Sequence, residues 1–199
     1  MYFPFIYGAT KGVGKTTTSH LVSESLRAQG KKVALIDCDF RQGDLHKIYN
    51  TQKIESYDAF KVIVDEYNYD KEQVFFIPRL SNSSSDSIAI FNSEIFRDLV
   101  KTLKLKFDFI VYDTPPVLSI SDSLTLSQYA DENIIVIKHD ETWFNDLSTV
   151  LTNISAVNDN PIKIVYNFYS RRAFTYNYNY YDSYTYSYYS NTYDYEDKK

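Results

Sequence analysis

The run Ala9-Thr-Lys-Gly-Val-Gly-Lys-Thr16 has the residue types of a loop that wraps phosphate. Small residues let the backbone N–H groups of Lys11 to Thr17 turn inward around an anion. Lys15 supplies an ammonium able to reach β- and γ-phosphates, and the Thr16 hydroxyl is a hard oxygen ligand for Mg²⁺. An apolar run precedes the loop and a helical pattern follows it, so the N-terminus of a helix adds partial positive charge at the same spot. Thr10, Lys11, Gly12, Val13, Gly14, Lys15, Thr16 and Thr17 are therefore the expected nucleotide-binding residues. The pattern departs from G-x-x-x-x-G-K-[ST] at its first position, which is Ala9, with Gly8 one residue early.

Two further runs end in acids. Ala34-Leu-Ile-Asp37-Cys-Asp39-Phe-Arg41 leaves two carboxylates one residue apart at the end of an apolar segment. Phe109-Ile-Val-Tyr-Asp113-Thr-Pro-Pro116 is a second apolar segment ending in Asp, and its prolines stop the strand. An isolated Asp37 or Asp39 would be read as a turn or helix cap. Beside a phosphate loop, three acids at two strand ends point to metal and phosphate chemistry, with Asp113 as a strand-borne aspartate aimed at the metal.

These residues need a scaffold that brings separate strand ends together. Short apolar runs at Phe3–Tyr7, Lys32–Asp37, Val74–Pro78, Phe109–Asp113, Ile134–Lys138 and Ile162–Tyr166 read as strands buried on both faces. Helical patterns at Lys15–Gln29, Ser56–Asn68, Ser93–Leu105, Asp122–Tyr129 and Thr142–Val157 lie between them. Gly30 is a natural stop for the first helix. The fourth of these runs is short. In Ser93–Leu105, residues Ile95, Phe96, Leu99, Val100 and Leu103 are expected on the buried side. The alternation predicts an α/β fold, a P-loop NTPase-like, mainly parallel sheet flanked by helices, with ligands at the carboxyl ends of the strands. Ser81–Asp86 reads as a polar loop.

The chain has 199 residues, a net charge of −5 and a pI near 5.2, so nucleic acid is not an expected partner. No apolar run approaches the roughly 20 residues of a membrane span, and no signal peptide is expected, because Lys11 and Lys15 follow the short apolar start. Cys38 is the single cysteine, which excludes an intrachain disulfide and fits a reducing compartment. His20, His46 and His139 are scattered and read as ordinary surface or edge residues.

From Arg171 onward periodicity is lost. Tyr176, Tyr178, Tyr180, Tyr181, Tyr184, Tyr186, Tyr188, Tyr189, Tyr193 and Tyr195 alternate with small polar and acidic residues, and no aliphatic residue follows Ala173. Such a stretch cannot build a core and is expected to be disordered. The organisation expected is a domain over 1–170 and a tyrosine-rich tail over 171–199. On its own the tail would read as a tether or an adhesive aromatic segment. Next to a nucleotide site, a run of phenols reads as a phosphoacceptor cluster.

With the loop ending Gly14-Lys15-Thr16, the D-x-D-x-R stretch Asp37-Cys-Asp39-Phe-Arg41, Asp113-Thr-Pro-Pro116 and the tyrosine cluster, the chain resembles the catalytic domain of the bacterial protein-tyrosine kinases (BY-kinases) of capsule and exopolysaccharide assembly. The likeness spans nearly the whole chain. It implies an ATP- and Mg²⁺-dependent autokinase in which Lys15 and Thr16 hold phosphate and metal. Asp39 and Asp113 would hold the metal directly or through water. Asp37 would sit near the incoming tyrosine hydroxyl as base or metal-water anchor, and Asn167 would read the adenine edge. The ten tail tyrosines would be the phosphorylation sites, reached in cis or in trans. Arg41 belongs to the motif without a role that spacing assigns. The family carries an E-x-x-R-x-x-R motif ahead of its first strand that packs protomers into a ring; this sequence has none. The resemblance implies homo-oligomers in the full-length context, a membrane co-polymerase or activator domain and a tyrosine phosphatase as partners. It also implies a place in the cytoplasm at the inner face of the membrane, reached through an N-terminal region absent from this sequence or through a partner. The alternative is a MinD/ParA-type partition or positioning ATPase, whose signature lysine position holds Thr10 here, with Lys11 one residue late. A nucleotide-binding module without catalysis is a third reading.

Overall fold

The structure is a computed structural model that describes residues 2–54, 62, 73–79, 87–118 and 122–169. The helical reading of Ser56–Asn68, the loop Ser81–Asp86 and the ten tail tyrosines lie outside the described residues. The chain divides into two compact units, Met1–Asn167 and Phe168–Lys199, and the first holds every strand and helix named below.

Six strands, β1 (Pro4–Gly8), β2 (Val33–Asp37), β3 (Phe75–Ile77), β4 (Phe109–Asp113), β5 (Glu132–Lys138) and β6 (Ile162–Asn167), form one parallel sheet in the order β3-β2-β4-β1-β5-β6. Helices α1 (Lys15–Ala28), α2 (Leu45–Ile48), α3 (Ser87–Phe91), α4 (Glu94–Lys106), α5 (Asp122–Ser127) and α6 (Phe144–Ser155) flank it. Parallel strands need helical crossovers, which cover both faces and explain the nearly unbroken apolar runs. Alternate strand residues enter two cores. Phe5, Tyr7, Ala34, Ile36, Ile110, Tyr112 and Ile135 pack with apolar residues of α3, α4, α5 and α6. Ile6, Val33, Leu35, Val111 and Val136 pack with Val22 and Leu26 of α1 and Leu45 of α2.

Three expectations are corrected. β6 is not buried on both faces: it is an edge strand, and Ile164 and Tyr166 are 49% and 52% exposed. In α4 the buried face is Phe96, Leu99, Val100 and Leu103, an i, i+3, i+4, i+7 set; Ile95 falls off that stripe and is exposed. Ser93 caps α4, its hydroxyl accepting the Phe96 N–H at 3.1 Å. Finally, α6 begins after Thr142, not at it. The Thr142 hydroxyl accepts the Lys138 N–H at 2.9 Å, and Trp143 is extended at the cap. Helices α2 and α3 have four and five residues, too short for a periodic signal.

Candidate nucleotide and metal site

The tips of β1, β2 and β4 meet at the N-terminus of α1. Asp37 and Asp113 are register partners across β2 and β4, and Cys38 donates its backbone N–H to the Asp113 carbonyl at 2.9 Å. The turn after Asp113 is stitched to β1. Thr114 donates its hydroxyl to the Ile6 carbonyl at 2.8 Å, and Val117 donates its N–H to the Gly8 carbonyl at 3.0 Å. Strand spacing thus sets the distance between the acids and the loop.

The loop itself requires glycine at two positive-φ positions, Gly12 (φ 81°) and Gly14 (φ 95°). Gly8 is needed for space instead. A Cβ there would stand 2.5 Å from Val13 Cγ2 and 2.9 Å from Lys15 Cγ, because the loop folds back over the strand tip. The displaced glycine of the sequence pattern therefore has a packing role, and Ala9 fits a fully buried position behind the loop. Val13 sits in the α1-side core, while its carbonyl accepts the Asn167 amide N–H at 2.9 Å. Asn167 thus ties the end of β6 to the phosphate loop. Lys15 opens α1, is 7% exposed, and donates to the Thr10 carbonyl at 3.3 Å. Burial pulls its ammonium below the usual lysine range, and Asp113 and Asp39 partly restore it. Lys11 and Thr17 are exposed at the loop surface, and Thr10 and Thr16 are half-buried.

Both oxygens of Asp113 are held by hydroxyls of α1. Thr16 donates to Oδ2 at 2.9 Å and Ser19 donates to Oδ1 at 3.0 Å. Burial pushes Asp113 up to about 6, against the pull of these two hydroxyls and of Lys15. Asp37 is also fully buried. Burial raises it well above the usual carboxylate range, and the charges of Asp113 and Asp39 raise it further. Its Oδ1 accepts the Asp39 N–H at 3.2 Å, whereas Oδ2 has no hydrogen-bond partner. Gly43 packs so closely that a Cβ there would fall 2.2 Å from Asp37 Oδ1. Asp39 is half-buried and performs the capping that an isolated Asp predicts. Its Oδ1 accepts the N–H groups of Gln42 at 2.9 Å and Arg41 at 3.3 Å. Arg79, just past β3, donates Nη1 to the Phe40 carbonyl at 2.5 Å and lays positive charge near Asp37.

The loop residues, Asp37, Asp39, Asp113 and Asn167 therefore lie in one region at the carboxyl ends of the strands. Ser19, Gly43 and Arg79 join them, and no sequence motif marks these three. Ser19 follows Lys15 by one helical turn, a spacing that does place it on the same face. The donor set suits Mg²⁺: a hydroxyl, carboxylates and an unpartnered buried carboxylate oxygen are all hard ligands. Among the described residues no group of three His, Cys, Asp or Glu could by itself hold a metal ion. Mg²⁺ does not need one, since it keeps waters and uses one or two carboxylates together with substrate phosphates.

A family model described as an AAA domain matches residues 6–165. The chain belongs to the AAA domain family. Within this AAA domain, the likeness read from the motifs has counterparts. The tyrosine-protein kinase ptk of Acinetobacter johnsonii is 27% identical over 158 residues, which cover 73% of this chain and 20% of ptk. The septum site-determining protein MinD of Synechocystis sp. is 32% identical over 164 residues, 78% of this chain and 60% of MinD. The solved kinase domain of VpsO superposes with a TM-score of 0.74 at 26% identity, over 85% of each chain. The chain thus spans a fifth of the length of ptk and 60% of that of MinD. No helix among the described residues is long and apolar enough to cross a membrane.

Proposed function

We propose that this AAA domain is an ATP-dependent protein-tyrosine autokinase that phosphorylates its own C-terminal tyrosines and regulates capsular or exopolysaccharide synthesis and export. The observation that carries the reading is the placement of Asp37 beside Asp113 in strand register next to the phosphate loop. One acid is held by the loop's own hydroxyl; the other keeps a buried oxygen without a partner.

In this reading Lys15, the loop N–H groups and the α1 N-terminus bind the β- and γ-phosphates of ATP. Thr16, Asp39 and Asp113 would hold Mg²⁺, which when bound neutralises charge on the phosphate oxygens. A tail phenol oxygen attacks the γ-phosphorus as the bond from that phosphorus to the β–γ bridging oxygen breaks. The electron pair leaves with ADP. The phenol proton passes to Asp37, giving phosphotyrosine, ADP and a protonated carboxyl. Phosphoryl transfer has a loose transition state, so the base acts late and positioning dominates. The burial that raises Asp37 also makes its carboxylate a stronger base than an exposed one.

The same reading assigns the tail, 171–199, as substrate in cis or in trans. It assigns a homo-oligomer in the full-length context, a membrane co-polymerase or activator, and a tyrosine phosphatase as partners at the cytoplasmic face of the membrane. Asn167 would act at the adenine edge as well as on the loop.

Intact-mass measurement of the phosphatase-treated chain after incubation with Mg·ATP tests the assignment. Mass gains in phosphate steps, mapped to Tyr176–Tyr195 and absent in Lys15→Met, are expected. A second, less favoured reading, a MinD-type ATPase with a nucleotide-gated dimer, is motivated by the 32% identity to MinD. ATP hydrolysis without any phosphotyrosine would select it.

A further inference from the structure

We propose that Ser19 is a positioning residue that anchors the Asp113 carboxylate for metal binding. The inference rests on the reading of this region as a Mg·nucleotide site, and not on the identity of the phosphoacceptor.

Ser19 and Asp113 are both fully buried, and their contact joins α1 to the tip of β4. Ser19 Oγ lies 3.0 Å from Asp113 Oδ1 and 3.0 Å from the Lys15 carbonyl. A hydroxyl has one proton, and the ionised acceptor makes the stronger bond. Among the described residues Ser19 is the donor to Oδ1, as Thr16 is to Oδ2. The two hydroxyls differ in their duties once a cation is present. Thr16 would turn a lone pair to the cation while its proton faces Asp113. Ser19, buried behind the loop, has no part in the ligand shell and holds the same bond throughout. Removing it would leave Oδ1 buried and without its donor, free to swing the carboxylate about the remaining contact. Second-layer partners of this kind set ligand orientation, and their loss typically weakens metal binding about 10- to 100-fold.

The helix contains its own control. Thr18 and Ser23 donate to the carbonyls four residues back, of Gly14 and Ser19, both at 2.8 Å, whereas Ser19, at 3.0 Å from the Lys15 carbonyl, turns its one proton to Asp113. Ser23 is as buried as Ser19 yet is remote from Asp113 in this bonding pattern. Ser23→Ala removes a buried hydroxyl from the same helix without touching Asp113.

The test is Mn²⁺ binding to the full chain saturated with ADP, followed by electron paramagnetic resonance, with metal-free ADP affinity measured alongside. Ser19→Ala is expected to raise the Mn²⁺ dissociation constant about tenfold or more. Its metal-free ADP affinity should stay within about twofold, because Lys15 and the loop are intact. Ser19→Thr, which keeps the hydroxyl, should restore metal binding, and Ser23→Ala should leave it unchanged. Parent-like Mn²⁺ affinity in Ser19→Ala would overturn the proposal, as would an equal loss in Ser23→Ala. If Ser19→Ala shows no cooperative unfolding transition, Ser19→Cys replaces it. A thiol is a weak donor of similar volume, so an intermediate loss supports the anchor and parent-like affinity refutes it. Phosphotyrosine is not read here, so a chain that binds Mn²⁺ and ADP but transfers no phosphate refutes the kinase reading alone.

Discussion

Asp37 and Asp113 stand opposite one another on β2 and β4, both without solvent exposure, and the charge of Asp113 makes Asp37 harder to ionise. Strand register places them there; α1 supplies Asp113 with two hydroxyl donors, and Asp37 receives one backbone N–H. The nucleotide-free protein therefore holds a crowded pair of acids that a cation would relieve.

That crowding has a pH signature. Burial pushes Asp113 up to about 6 from an ordinary value of 3.8, so the fold favours its neutral form. Well below about 4 both states are protonated, and no penalty exists there. As pH rises from about 4 to about 6 the unfolded chain loses the proton first, and the fold loses up to about 3 kcal/mol from this group. Asp37 shifts in the same direction. Thermal unfolding of the nucleotide-free protein beside Asp113→Asn should show the parent losing ground to the variant as pH rises from about 4.5 to about 7.5. Parallel curves would contradict the burial of an ionisable Asp113.

Gly43→Ala should separate stability from activity. The new Cβ would meet the Asp37 carboxylate at 2.2–2.6 Å, and a carboxylate can rotate away more cheaply than backbone can move. The expected cost in stability is about 1–2 kcal/mol, read by denaturant unfolding. Phosphotyrosine formation should fall by about tenfold or more, since Asp37 would no longer sit where its base role requires. Unaltered transfer in a folded Gly43→Ala variant would remove Asp37 from the chemistry.

Asn167→Ala discriminates two roles of one side chain. One amide N–H of Asn167 goes to the Val13 carbonyl, so its loss should loosen the phosphate loop for any nucleotide. A hydrogen bond of about 1 kcal/mol corresponds to roughly a fivefold weaker affinity. Calorimetry with ADP and GDP should show that loss for both. A loss confined to ADP would mean that the residue serves base recognition and that its contact with the loop contributes nothing.

The phosphate loop and the two acidic strand ends were legible because each is local: a glycine-lysine-threonine run after an apolar strand needs no tertiary information. The parallel sheet followed from unbroken apolar runs separated by helical patterns. What escaped depends on register and sheet order. Ser19 becomes a partner of Asp113 only when α1 lies against β4, and Gly43 meets Asp37 only after the chain turns through Asp39. Arg79 reaches the Phe40 carbonyl because β3 pairs with β2. The exposure of β6 reflects its place at the sheet edge, which its own composition does not encode. Ile95 fails for a simpler reason: an apolar residue adjacent to the buried stripe counts toward composition but faces water.

Phosphorylation of the tail should change assembly through charge. The chain carries a net charge of −5, and each phosphate adds about −1.5 to −2. Three phosphates on the tyrosines between Tyr176 and Tyr195 would therefore roughly double the net charge, with all of the increase on a segment whose charged residues are Asp182 and Asp194. If the tail enters a neighbour's site as substrate, its phenol must approach Asp37, Asp39 and Asp113. A phosphorylated tail meets those same carboxylates as a like charge once the nucleotide and its cation have left, and repulsion favours departure. Light scattering on the chain before and after Mg·ATP treatment should show a smaller average mass for the phosphorylated form. Raising salt from about 50 to about 500 mM should reduce the difference, because screening shortens the reach of the repulsion. Identical masses at low salt would show that tail charge does not control assembly.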